Sequence, residues 1–200
     1  MTQTAIAELV FLLEEPSAAA MLNGLLPRIL PPEIGFRCVP CEGKQELEGQ
    51  LERKLRGYRV PGARFVVLRD QDNGDCVRIK DKLMALRART GRPDALVRIA
   101  CQELESWCLA DLAAVERGLN ISGLARHQKA KKYLAPDRIG NPASELERLT
   151  GGAYQKMSGS RAIDPNLDLD NIRSDSFRNL VSGVRRLIAS QSNSGEGREI

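Results

Sequence analysis

The sequence predicts an α/β fold: a parallel sheet flanked by helices, with a C-terminal helical extension. Three observations predict it. Short continuous apolar runs read as buried strands, segments of helical spacing lie between them, and the strand pattern stops after residue 102. Strands that alternate with helices are joined by right-handed crossovers and run parallel. Such sheets take their ligands beyond the carboxyl ends of the strands.

Residues 9–13 form the first apolar run. It leads through Glu14-Glu15-Pro16-Ser17 into an alanine-rich helix for which Ser17 is the expected N-cap. Residues 36–40 read as a second strand. Leu47, Leu51 and Leu55, with charges between them, mark an amphipathic helix over 43–58. Residues 64–68 are β-branched and aromatic, a third strand that ends at Arg69-Asp70-Gln71-Asp72-Asn73-Gly74, and 75–89 is helical by pattern. Residues 95–100 complete the strands. A helix begins near Glu103, helical pieces punctuated by Pro and Gly follow, and 177–188 reads as a final helix with Leu180, Val184 and Leu187 on one face.

With 200 residues the chain suits one domain, 1–189, with a core over 5–115 and a helical extension over 116–189. The polar tail 190–200 is expected to be disordered. Thirty Lys and Arg against 26 Asp and Glu leave +4, too mild a balance to establish a polyanionic partner by itself. Residues 1–13 lack the features of a signal peptide, and no apolar run approaches the roughly 20 residues of a membrane span. A cytoplasmic protein without a membrane partner is expected. Five cysteines without regular spacing point to reduced thiols. Cys38 and Cys41, with no second pair and no nearby histidine, read as small apolar residues rather than a zinc site. His127 is the single histidine, so schemes needing two are excluded, and no serine or cysteine has a nucleophile-elbow setting.

The chemistry concentrates in carboxylates at strand ends. In an extended segment Asp70 and Asp72 point the same way, about 6.6 Å apart, so both could converge on Glu14 if their strands are neighbours. Such a cluster repels itself unless a cation sits in it, and magnesium favours a few carboxylates together with waters and phosphate oxygens. The same residues are also good turn formers. The glutamate that would close an EF-hand loop is missing, and Gly43-Lys44 lacks the frame of a phosphate-binding loop.

Leu12-Leu-Glu-Glu-Pro-Ser17 resembles the L-V-E-G-P-S strand end of an uncharacterised bacterial Toprim-like family of unknown function. Gly43-Lys44, Phe65-Val-Val-Leu-Arg-Asp-Gln-Asp72, Glu103-Leu-Glu-Ser-Trp107, Tyr154-Gln-Lys156 and Asn166-Leu-Asp168 follow in the order of that family's motifs. The resemblance implies a Toprim-like (Rossmann-like) fold, related to the Toprim domains of overcoming-lysogenization-defect nucleases. In that wider group a glutamate and an Asp-x-Asp bind divalent metal, which carries over to Glu14, Asp70 and Asp72. Glu105, with Glu103 as the fallback, is the candidate for a second metal, although both also suit a helix N-terminus. Glu15 stands where the family has glycine, and is expected to crowd the metal loop.

Lys156, in a Gly- and Ser-rich stretch with Ser158, Ser160 and Arg161, could contact the scissile phosphate and offset transition-state charge, with a solvated loop lysine as the alternative. Lys44, Lys129, Lys131, Lys132 and Arg161 are the candidate nucleic-acid contacts, with a solvated helix face as the alternative for the 129–132 run. Trp107 reads as core packing. The expected activity is therefore hydrolysis of DNA or RNA phosphodiesters with Mg2+ or Mn2+, with Glu14, Asp70, Asp72 and Lys156 as the catalytic set. The resemblance further implies a role in anti-phage defence beside an ABC-type ATPase. Two alternatives differ in kind: a non-catalytic Toprim module that binds a partner protein or nucleic acid, and a Toprim enzyme of primase-like synthesis. Oligomeric state is not legible.

Overall fold

A computed structural model describes residues 6–189, and the tail expected to be disordered lies outside that range. Four strands, β1 (Glu8–Leu13), β2 (Gly35–Pro40), β3 (Ala63–Asp70) and β4 (Leu96–Ala100), form one parallel sheet in the order β2-β1-β3-β4. The register pairs Leu13 with Leu68, and Asp70 with Ala100. Glu14 therefore leaves the sheet beside the last residues of β3.

Alternation along the strands divides the core in two. Leu9, Phe11, Leu13, Val66 and Leu68 face helix α1 (Pro16–Leu25) and the helical extension. Val10, Leu12, Phe65, Val67 and Val97 face α2 (Lys44–Gly57) and α3 (Cys76–Ala88). β1 and β3 are buried on both faces, which is why they read as unbroken apolar runs. Asp75 caps α3, its carboxylate accepting from Val77 N–H at 2.9 Å and Arg78 N–H at 3.0 Å. The expected cap at Ser17 moves back two residues. Proline suits the first helical position, so Pro16 starts α1 with Glu15 at the N-cap, while the Ser17 hydroxyl donates to Glu15 Oε1 at 2.5 Å.

After β4 the chain is helical, with α4 (Glu105–Ala110) and the start of α5 (Leu112–Leu119) falling before residue 116 and α6 (Pro142–Leu149), α7 (Lys156–Ile163) and α8 (Asp175–Ala189) in the extension, with short 3-10 turns over 125–138. Trp107 is buried, donates through Nε1 to Ser176 Oγ at 2.8 Å and packs on Phe177, so it serves the core as expected. Cys38 and Cys41 are free thiols at the end of β2.

Asp164 ties the extension to α1. It is fully buried, its Oδ2 accepts from Gly24 N–H at 3.1 Å and its Oδ1 is a buried oxygen with no partner among the described residues. Gly24 is required there, since a Cβ would lie 2.6 Å from the carboxylate. Burial raises the Asp164 carboxyl to about 7, against the opposing hydrogen bond from Gly24. The unfolded chain thus binds fewer protons than the folded one between about pH 4 and 7, and this group's contribution to stability falls as pH rises through that window. Asp164→Asn should flatten the decline in melting temperature between pH 5 and 8. A variant with the slope of the native protein would remove Asp164 as its source.

Candidate active site

The acidic residues gather at the carboxyl edge of the sheet in two groups, one on each side of β3. On the α2 side, Glu14 Oε2 accepts from Asp70 N–H at 3.2 Å and lies 3.6 Å from Arg69 Nε. Arg69 is buried and pairs with Glu48 of α2, which also holds Lys82 Nζ at 2.6 Å. Asp72 joins this side. It adopts a left-handed φ of 52°, its N–H bonds Gln102 O at 2.7 Å, and its carboxylate holds Lys44 Nζ at 2.9 Å. The chain is therefore no longer extended at Asp72, and the expected parallel alignment of Asp70 and Asp72 is not what the backbone makes. Asp72 has a counter-ion in Lys44, yet its charge still acts on Glu14.

On the other side, Asp70 and Glu105 are 6% and 1% exposed. Glu105 Oε1 accepts from the Tyr154 hydroxyl at 2.9 Å, while Oε2 is buried with no partner among the described residues. No donor reaches the Asp70 carboxyl oxygens among those residues. Lys156, the first residue of α7, holds Glu15 Oε1 at 2.7 Å and Oε2 at 3.0 Å. Glu15 is engaged by Lys156 and Ser17, and its charge still raises Asp70 and Glu14.

The electrostatics follow from this placement. Burial, with the charges of Glu105, Glu15 and Glu14, pushes the Asp70 carboxyl well above the usual carboxylate range, and Lys156 only partly offsets them. Burial raises Glu105 too, opposed by Lys156 and by the Tyr154 hydroxyl. Glu14 is raised by burial and by Asp72, with Arg69 pulling the other way. Burial would lower the Lys156 ammonium, but the Glu15 hydrogen bond and the charges of Glu105, Glu15 and Asp70 outweigh it and leave it raised.

Among the described residues no three His, Cys, Asp or Glu side chains are drawn together closely enough to enclose a metal ion. The donor set nevertheless suits a hard divalent cation. Glu105 carries a buried oxygen without a donor, Asp70 is buried beside it, Glu14 accepts a backbone N–H, and the charges of Glu105 and Glu14 raise the proton affinity of Asp70. A cation would relieve that repulsion.

The remaining predicted residues lie apart from this edge or serve other contacts. Glu103 accepts from Ala143 N–H at 2.9 Å and so caps α6. Lys44 belongs to the α2 side, and Arg161 is exposed in the last turn of α7. Lys129, Lys131 and Lys132 are exposed on 3-10 turns, where Lys132 holds Glu145 at 2.7 Å. The Asn166-Leu-Asp168 motif is structural: Arg117 donates to Asn166 O, Arg28 to Leu167 O, and Asp168 N–H to Asp111. Sequence reasoning missed the roles of Arg69, Glu48 and Tyr154. A cation inside an apolar strand was the available signal for Arg69. For Tyr154 it was its place in the Tyr154-Gln-Lys156 motif.

This parallel sheet, with carboxylates at its carboxyl edge and helices on both faces, defines a Toprim-like α/β protein. A solved structure, the C-terminal region of the Burkholderia pseudomallei OLD protein, superposes with a TM-score of 0.53 at 16% identity, covering 92% of this chain and 98% of that one. Residues 13–185 match the family described as Domain of unknown function (DUF4276), and the chain belongs to it. No curated protein matches the sequence. No helix among the described residues is long and apolar enough to cross a membrane.

Proposed function

We propose that this chain is a divalent-metal-dependent nuclease that hydrolyses phosphodiesters of DNA or RNA. The observation that carries the reading is the buried pair Asp70 and Glu105, with an unpartnered oxygen on Glu105 and the Lys156 ammonium held beside it. Glu14, Asp70 and Glu105 would hold Mg2+ or Mn2+, with Asp72 and Glu103 able to join after releasing Lys44 and the Ala143 N–H. When bound, the cation supplies Lewis-acid charge and lowers the pKa of a coordinated water. Lys156 offsets negative charge on the phosphate, Tyr154 orients Glu105, and Arg69 with Glu48 fixes Glu14. Lys44 and Arg161 are exposed cations available to the nucleic-acid backbone. The family resemblance supports a cytoplasmic role in anti-phage defence with an ABC-type ATPase.

A second reading, a non-catalytic Toprim module that binds a partner protein or nucleic acid, is favoured by one observation: Glu15 stands where the family has glycine and engages Lys156. Incubating the protein, alone and with the ATPase, with labelled DNA and RNA separates the two readings. Cleavage is expected with magnesium or manganese and absent with calcium or excess chelator, because the charge stabilisation needs compact octahedral coordination. Cleavage that persists in chelator would overturn the metal mechanism, and no cleavage under any condition would favour the binding module.

A further inference from the structure

The helical extension carries a charged cleft that the proposed chemistry does not use. It has a volume of about 730 Å³ and lies between α6 and the 3-10 turns Lys131–Leu134 and Pro136–Arg138. Lys131, Lys132, Arg138 and Arg148 line it against a single carboxylate, Glu145, so four positive charges and one negative leave +3. That is a concentrated share of a chain whose net charge is +4.

The partners of these cations are unequal. Lys132 and Arg148 hold Glu145 at 2.7 and 2.8 Å, and the Tyr133 hydroxyl donates to it at 2.5 Å. Burial opposes them, but those hydrogen bonds pull Glu145 down to about 2, so it stays an anion that fixes both cations. Lys131 and Arg138 are exposed and have no side-chain partner among the described residues. Two immobilised and two unengaged cations around one open concavity suit a ligand with several spaced negative charges better than a single small anion.

α6 also joins the cleft to the sheet edge at both of its ends. Glu103 accepts from Ala143 N–H at its start. At its end, the Thr150 hydroxyl accepts from Tyr154 N–H at 3.0 Å, and the hydroxyl of Tyr154 holds Glu105. The helix that lines the cleft is therefore anchored at both ends to residues of the acidic edge.

We infer that this cleft binds the phosphodiester backbone of nucleic acid flanking the bond to be cut, an inference that rests on the nuclease reading. Each phosphate contact made by a cation releases counterions, so removing one lowers affinity without regard to sequence and flattens the salt dependence. The test measures binding of fluorescent single-stranded and duplex oligonucleotides to the full chain, in chelator and across a salt series. Lys131→Ala/Arg138→Ala is compared with the native protein and with Lys54→Ala/Arg59→Ala at the far end of α2.

At about 0.1 M salt the cleft variant is expected to bind roughly 25- to 60-fold more weakly, with a log–log salt slope shallower by about 1.4–1.8. Its melting temperature should be unchanged, since both side chains are exposed and unpaired. The α2 variant should stay within about twofold of the native protein. Equal losses in the two variants, or no binding by the native protein at low salt, would overturn the inference. So would polyglutamate that displaces the oligonucleotide as well, charge for charge, as nucleic acid does, because the cleft would then be a site for acidic protein. Binding in chelator is independent of cleavage, so a failed nuclease assay alongside the expected binding loss would leave the cleft standing and remove only the catalytic reading.

Discussion

Asp70→Asn is expected to cut phosphodiester cleavage by about 10²- to 10³-fold while raising the melting temperature of the metal-free protein. A metal-bound carboxylate supports several kcal/mol of transition-state charge stabilisation, and each 1.36 kcal/mol is about a factor of ten in rate. Stability moves the other way because Asp70 is buried beside Glu105, Glu15 and Glu14, and no donor reaches its carboxyl oxygens among the described residues. Asparagine keeps the volume, removes one like charge and places an amide donor in the acidic group. In a chain of this size each kcal/mol of relieved repulsion raises the melting temperature by about 2–4 °C. Magnesium should stabilise the native protein by mass action and the variant much less. Melting curves with and without magnesium, set beside single-turnover rates, check both halves. A variant that melts lower without metal and responds normally to magnesium would make Asp70 a structural residue and dismantle the site.

Lys156→Ala is expected to lower kcat by about 10²- to 10³-fold with a smaller change in KM, if its ammonium acts on charge that develops in the transition state. Loss of the Glu15 pair cannot account for that through unfolding. Both side chains are partly exposed, and such pairs contribute at most about 1 kcal/mol. Glu15 supplies the internal control. If it positions Lys156, Glu15→Gly changes kcat in the native background and has no further effect when Lys156 is already alanine. Equal losses in affinity and turnover would make Lys156 a phosphate anchor instead. Additive effects of the two substitutions would separate Glu15 from Lys156.

Much of the frame is legible from local pattern. Buried parallel strands are continuous apolar runs, and amphipathic helices repeat their leucines every turn, so β1, β3 and α2 can be read directly. Boundaries move where short-range chemistry competes: Pro16 takes the first helical turn from Ser17, and Asp75 caps α3 instead of opening it. Asp70, Asp72, Glu14 and Lys156 stand out in the sequence because a strand end places a carboxylate outside the sheet, and ordered family motifs select which ones to weigh.

The alternation of strands and helices, and the carboxylates at strand ends, are local properties, because both depend on periodicity along a few residues. The tertiary structure alone decided how the carboxylates divide. A left-handed turn at Asp72, set by its N–H bonding to Gln102 O, sends that residue toward Lys44, while Asp70 stays buried beside Glu105. The pairings of Lys156 with Glu15, Tyr154 with Glu105 and Asp164 with Gly24 span 141, 49 and 140 positions in sequence. No local pattern encodes such contacts, which arise only when the helical extension packs back onto α1 and the sheet edge.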